Sequence, residues 1–162
     1  PHTLVLGEGI ETVLSLFTAL TLAGRDLDGW AFHAAGDLGN MGGRSLGVFD
    51  HPVLRHASGR PQKVPDARPD MDFPGSPVPD SVKLLILLGD GDSESVLTES
   101  TMARAKARHG RAAQEGQSAR EARVMMAPKG QDWNDVLRGI LAEKARTRDS
   151  TAAAPTLEGA MA

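Results

Sequence analysis

Between Lys83 and Asp92 the chain reads Lys-Leu-Leu-Ile-Leu-Leu-Gly-Asp-Gly-Asp. The unbroken apolar run Leu84 to Leu88 has no polar alternation, the pattern of a strand covered on both faces. Such a strand belongs to an open, mainly parallel sheet with helices on both sides, so the expected fold class is α/β. The run stops at Gly89, and Asp90 and Asp92 follow. Where strand geometry continues, residues two apart point the same way, and both carboxylates face one place. Open parallel sheets bind ligands just beyond the carboxyl ends of their strands. Two carboxylates there repel, share a proton or hold a cation. An Asp-Gly hairpin turn is the competing reading, but the residues that follow, Glu94 to about Arg111, pattern as a helix.

The other elements repeat this arrangement. Thr3 to Leu6 is a short apolar strand closed by Gly7-Glu8-Gly9, and Ile10, Val13, Leu14, Phe17 and Leu20 then recur at helical spacing, with Gly24 placed to end the helix. Strand, glycine turn and helix open a βαβ unit. The third glycine of a dinucleotide fingerprint would fall at Thr12, so Gly7 and Gly9 are weak evidence for nucleotide binding. Glu8 occupies the same kind of turn as Asp90 and Asp92, or it serves only the helix dipole. Trp30 to Ala35 is a second strand. The glycine-rich stretch Gly36 to Gly43 reads equally as a phosphate-approaching loop and as a connector. Ala122 to Ala127 is a further strand, ending at Pro128-Lys129-Gly130. Asp132 and Asp135 then open an amphipathic helix with Val136, Leu137, Ile140 and Leu141 inward, and this pair reads equally as a helix cap and as site residues.

Between Asp50 and Asp80 the composition turns to Pro, Asp, Arg and Gly. An irregular stretch of this length in a compact domain is either functional or an ordered excursion over the surface. His51 and His56, within it, read as plain surface residues. The helix after Asp92 carries Arg104, Lys106, Arg108, His109 and Arg111, and its apolar face (Val96, Ala103, Ala107) is thin, so a peripheral helix is expected. Its cations read as a solvated face or, alternatively, as a patch for nucleic acid or phosphate. After Ala145 the residues become low in complexity, and 146–162 read as a disordered tail or linker, leaving 1–145 as one domain. The chain begins at Pro1 with no Met, close to its first strand, and reads as a piece of a longer protein.

Composition narrows the function. With no cysteine, disulfides and cysteine-based zinc sites are excluded, and the five histidines form no helical ligand pair. No apolar run approaches the roughly 18 residues of a membrane span, so a cytoplasmic protein without a membrane partner is expected. A formal charge of −3 and 4% aromatic residues predict only weak, salt-sensitive nucleic-acid binding, through Arg104, Lys106, Arg108 and Arg111. Glu8, Asp90, Asp92 and the Asp132–Asp135 pair all fall just after strands, so a parallel sheet places them along one edge. An oxygen-only ligand set without His or Cys points to a hard cation, Mg²⁺ or Mn²⁺. Such a cation bridges phosphate oxygens in phosphoryl transfer.

Leu-Val-Leu-Gly-Glu-Gly-Ile-Glu-Thr-Val-Leu-Ser (4–15), Ala-Ala-Gly-Asp-Leu (34–38), Leu-Leu-Gly-Asp-Gly-Asp (87–92) and Gly-Gln-Asp-Trp-Asn-Asp-Val-Leu (130–137) resemble, in order, the motifs of a Toprim domain. Toprim domains occur in primases, topoisomerases of types IA and II and some nucleases. The resemblance covers about residues 3–143 and is nearest to the primases and primase–helicases of phages and mobile elements. It implies a Toprim, Rossmann-like fold. It also implies that Glu8 acts in acid–base chemistry or metal binding, and that Asp90 and Asp92 hold Mg²⁺ (or Mn²⁺). The activity implied is RNA primer synthesis on a single-stranded DNA template from nucleoside triphosphates, with a replicative helicase in cis or trans and the zinc-binding template reader outside this segment. Further contacts would come from Asp132, Asp135, Arg104, Lys106, Arg108 and Lys129. The sequence departs from the pattern at Ser93-Glu94-Ser95, where many members have a glycine. It departs again at Thr12, where cellular primases tend to carry an acid.

Other classes fit less well. A haloacid-dehalogenase-type phosphatase needs its Asp-x-Asp on the first strand, with Thr or Val where this chain has Glu94. A receiver domain puts its acidic pair after strand one, the reverse of this order, although Lys129 fits superficially. A Toprim-type nuclease stays open as the alternative, and so does a non-catalytic Toprim-like module, against which Glu8, Asp90 and Asp92 speak. With no tyrosine, the chain alone lacks the nucleophile of a topoisomerase.

Overall fold

The computed structural model describes residues 1–152 and the side chains of residues 1–148. Four strands form one fully parallel sheet in the order β2-β1-β5-β6: β1 (Thr3–Gly7), β2 (Trp30–Ala34), β5 (Leu84–Gly89) and β6 (Glu121–Met126). The expected strands Thr3–Leu6, Trp30–Ala35, Leu84–Leu88 and Ala122–Ala127 lie in it, except that Ala35 and Ala127 fall just past the ends of β2 and β6. The alternative hairpin across Asp90-Gly91 is not formed: β5 leads into a helix.

Helices α1 (Ile10–Leu22), α2 (Leu38–Gly42), α3 (Ser95–His109) and α4 (Trp133–Ala152) divide between the two faces. Alternation along the strands decides which face each residue serves. Leu4, Leu6, Leu85 and Leu87 pack with Met41 of α2 and with Met102 and Ala105 of α3. Val5, Ile86 and Leu88 pack with Val13 and Leu16 of α1 and Trp133 of α4. Both faces of β1 and β5 are therefore closed, as the unbroken apolar runs require. The result is an α/β protein with a parallel sheet flanked by helices, compatible with a Rossmann-like fold.

The excursion is ordered. Val48–Arg55 (β3) and Pro61–Pro65 (β4) form an antiparallel hairpin that stands apart from the main sheet. His51, expected on the surface, is buried: its Nδ1 accepts from the amides of Val53 and Leu54 (3.1 and 2.8 Å), and its Nε2 meets Glu94 Oε1 at 3.0 Å. Two amides aimed at Nδ1 leave the proton on Nε2, which therefore donates to Glu94. The carboxylate of Glu94 in turn caps α3, accepting from Val96 and Leu97 at 3.0 and 2.6 Å.

Helix α3 is not peripheral. Thr98, Thr101, Met102, Arg104 and Ala105 are buried, because the hairpin and the loop after it cover its outer side. The glycine-rich stretch is neither an open loop nor a plain connector: it forms the short helix α2, N-capped by Asp37 through the Asn40 amide at 2.6 Å. Two expectations about α4 also change. Leu141 is 45% exposed instead of inward, while Trp133 and Val136 make the contact with the core. The helix also continues through Ala152, so residues 146–152 are helical where a tail was expected, and residues 153–162 lie outside the described residues. Among the described residues no helix is long and apolar enough to cross a membrane.

Candidate metal and phosphoryl-transfer site

In the order β2-β1-β5-β6, the chain leaves β1 toward β2 on one side and returns with β5 on the other. The crevice between β1 and β5 is thus the point where strand direction of travel reverses, the place where open α/β sheets take ligands. Register puts Gly7 beside Leu88, so Glu8 and Asp90, one and two residues later, open into the same crevice. Glu8, Asp90, Asp92 and Asp132 line one cleft of about 730 Å³, together with Glu11, Thr12, Ser93 and Asn134.

Each acid is placed by a local device. The amides of Ala35 and Gly36 donate to the carbonyls of Gly7 and Glu8 at 2.8 Å each, tying the end of β2 to the Glu8 turn. Gly36 supports this with φ of 90°, which a residue with a Cβ rarely adopts. The Asp90-Gly91-Asp92 turn is held by Gly91 N–H to Gln131 O and Gly130 N–H to Gly91 O, both 2.8 Å. The buried indole of Trp133 donates to Gly89 O at 3.1 Å, which seats the start of α4 on the end of β5. Asp132 caps that helix through the Asp135 amide at 2.7 Å while also lining the cleft.

The carboxylates feel one another. Burial, then the charges of Asp90 and Asp37, raise the Glu8 pKa. Burial is also the first cause of a raised Asp90 pKa; Asp92 and Asp132 add to it, and the Trp133 amide and Thr12 hydroxyl oppose it. Asp90 Oδ2 accepts from Thr12 Oγ1 at a long 3.4 Å, and its Oδ1 is buried with no hydrogen-bond partner. A buried carboxylate oxygen without a donor is costly, and a cation is one group that would complete it. Among the described residues no three Asp, Glu or His side chains already stand arranged to hold a metal. The donors fit a hard cation in kind, all oxygen and all on one cleft, without being closed on a common point.

These shifts fix a sign. Glu8 and Asp90 have folded-state pKa values above their unfolded ones, so the stability they contribute is full at low pH and is lost as pH rises through the folded pKa. Asp66, Asp80, Glu94 and Glu121 are shifted down and act in the opposite sense, so the whole-protein profile mixes both. The difference between wild type and Asp90→Asn isolates one group. In the presence of a chelator, urea melts should show Asp90→Asn gaining on wild type as pH rises from below 3.8, the ordinary Asp value, toward neutrality. A difference that stays constant with pH would contradict the assignment.

The remaining expected residues divide. Asp135 faces away, pairing with Arg138 at 3.3 Å and lining a separate groove along α4. Lys129 lines a neighbouring cavity that shares Asp90 and Asp92 as its wall. The basic patch on α3 is not a patch. Arg104 is buried and donates to the carbonyls of Gly43, Pro65 and Asp66. Arg108 donates to those of Gly42, Arg44, Asp70 and Phe73. Their guanidinium groups fasten the excursion to α3 and are not presented to phosphate. Arg111 pairs with Asp80 at 2.8 Å, and Lys106 is exposed. Three contributors escaped the sequence reading as site residues: Thr12, Asn134 and Asp37. Asp37 follows β2 as Glu8 follows β1, and that shared position was the available signal.

Compared with known proteins, the chain matches no protein-family model, no curated protein and no solved structure.

Proposed function

We propose that this chain is the Toprim-like catalytic domain of a DNA primase, which joins ribonucleotides on a single-stranded template by metal-dependent nucleotidyl transfer. One observation carries the reading: Glu8, Asp90, Asp92 and Asp132, from three separate strand ends, share the cleft at the sheet's switch point, with an unpartnered, buried Asp90 oxygen in their midst. The motif order Glu-Gly, Asp-x-Asp and Asp-x-Asn-Asp supports it.

Asp90 and Asp92, with Glu8, are the residues that would hold Mg²⁺ or Mn²⁺, and Asp132 adds negative charge beside them. The bound cation would neutralise charge developing on the transferring phosphoryl group. Glu8, whose raised pKa brings it nearer the working range of a proton acceptor, takes the proton of the attacking hydroxyl. Thr12 and the Trp133 amide hold Asp90 in place.

The test is incorporation of labelled ribonucleotide on single-stranded DNA with Mg²⁺ or Mn²⁺, run beside a cleavage assay on the same template, in the longest native chain that contains this segment. Glu8→Gln and Asp90→Asn should each abolish primer synthesis, and calorimetry should show metal binding lost in Asp90→Asn. Glu8-dependent cutting without primers would replace the primase reading with a Toprim-type nuclease. Unchanged primer synthesis in both variants would remove this cleft from the chemistry.

A further inference from the structure

Among the cations that the chain presents outward, three lie on the β3–β4 hairpin. From Val48 to Pro65 the hairpin carries Arg55, Arg60 and Lys63, two histidines and a single acidic residue, Asp50, in a chain whose formal charge is −3. Residues 52–60 are all exposed. Apolar groups share this surface: Val53 is 75% exposed, with Leu54 and Phe49 each more than a third exposed. The Lys63 ammonium pairs with Asp50 across the hairpin but remains 61% exposed, and Arg55 is braced on the carbonyls of His51, Pro52 and Leu54.

The hairpin is rooted at the acidic cleft. His51 bonds Glu94, which caps α3 two residues after Asp92. The cationic strand pair therefore leaves the body beside the residues proposed to do the chemistry. Acids line the cleft itself, and they repel a polyanion unless cations nearby hold its backbone. Exposed apolar side chains interleaved with cations suit unstacked bases and sugars better than a closed duplex, whose bases are not offered.

We infer that the β3–β4 hairpin is a single-stranded nucleic-acid-binding arm, with Arg60 and Lys63 contacting phosphates and the Phe49–Leu54 segment contacting bases. The inference deepens the proposed function by naming where a template strand is held. It stands apart from that function in its test, because binding needs neither metal nor turnover.

Fluorescence anisotropy of a labelled oligo-dT with this chain, in chelator and low salt, is the measurement. Wild type should bind with affinity falling as salt rises, each phosphate contact contributing roughly −0.7 to the slope of log K against log salt. Arg60→Gln/Lys63→Gln should weaken binding about tenfold at low salt and flatten the slope by about 1.4. Arg60→Lys/Lys63→Arg, which keeps the charge, should restore both. Val53→Ser should weaken binding without changing the slope. Binding is read in chelator and without turnover, so a failed primase reading leaves this result untouched. Absence of binding by wild type at low salt would overturn the inference. Equal affinity and slope in the double glutamine variant would do so too, as would self-association through the hairpin without DNA binding.

Discussion

Alanine at position 91 is expected to cost about 2–3 kcal/mol or more and to abolish the divalent-cation binding proposed for the cleft. The backbone at Gly91 runs against the turn after β6. A Cβ there would stand 2.2 Å from Pro128 O, 2.6 Å from Ala127 O and 2.8 Å from Pro128 C. All three are main-chain atoms, so no side chain can swing aside. Either the Asp-Gly-Asp turn or the Pro-Lys-Gly turn must move, and the two hydrogen bonds between them break with it. Asp90 and Asp92 flank the moving residue. Gly89→Ala is the contrasting case: its Cβ would meet the flexible end of Met126, and the smaller loss should leave cation binding in place. Urea melts and cation titration of the two variants make the comparison. Wild-type stability and binding in Gly91→Ala would show that the turn is not held as described.

The second large effect is at Arg104. Arg104→Met keeps the aliphatic stem and removes the guanidinium, leaving the carbonyls of Gly43 and Asp66 without the donor that reaches them from α3, while Pro65 O keeps the Ser100 hydroxyl at 2.6 Å. Unsatisfied buried acceptors cost about 1–3 kcal/mol each, so a loss of about 3–5 kcal/mol is expected once partial relaxation is allowed. Arg104→Lys should recover little, because an ammonium cannot span acceptors arranged for a planar fork. Lys106→Ala, two residues along but exposed, should stay within about 0.5 kcal/mol of wild type. Equal stability of the Arg104 and Lys106 variants in urea would mean that the excursion is fastened otherwise.

The main sheet was legible because its residues carry a signal that little else produces. Leu84 to Leu88 has no polar position to spare, so both faces had to be covered, and the helices after β1 and β5 carry apolar spacing of their own. Glu8, Asp90 and Asp92 were legible for a related reason: glycine turns after buried strands leave few places for an acid to go. What failed was inference from residue type alone. Arg104 and Arg108 are cations on a helix with few large apolar residues, and such residues usually face water. Here their partners are backbone carbonyls up to 66 residues away in the chain, which no local pattern encodes. His51 was misread for the same reason, since two amides and a distant carboxylate bury it. The hairpin itself lacks clear alternation because so little of it touches the body.

The strand order also shapes how the protein is made. β1 can pair with β2 as soon as α1 and β2 are complete. Its other edge waits for β5, whose Leu87 lies 81 residues after Leu6, the residue it pairs with. At roughly 5–20 residues per second, that edge stands open for on the order of ten seconds on the ribosome. During that interval Leu4, Val5 and Leu6 have only the cover of α1 and α2, and the excursion that emerges next packs on α3, not on β1. The nascent chain therefore carries an unpaired apolar strand edge until β5 emerges, a natural point of engagement for a chaperone. The acidic cleft, divided between the two ends of that delay, cannot exist before it closes.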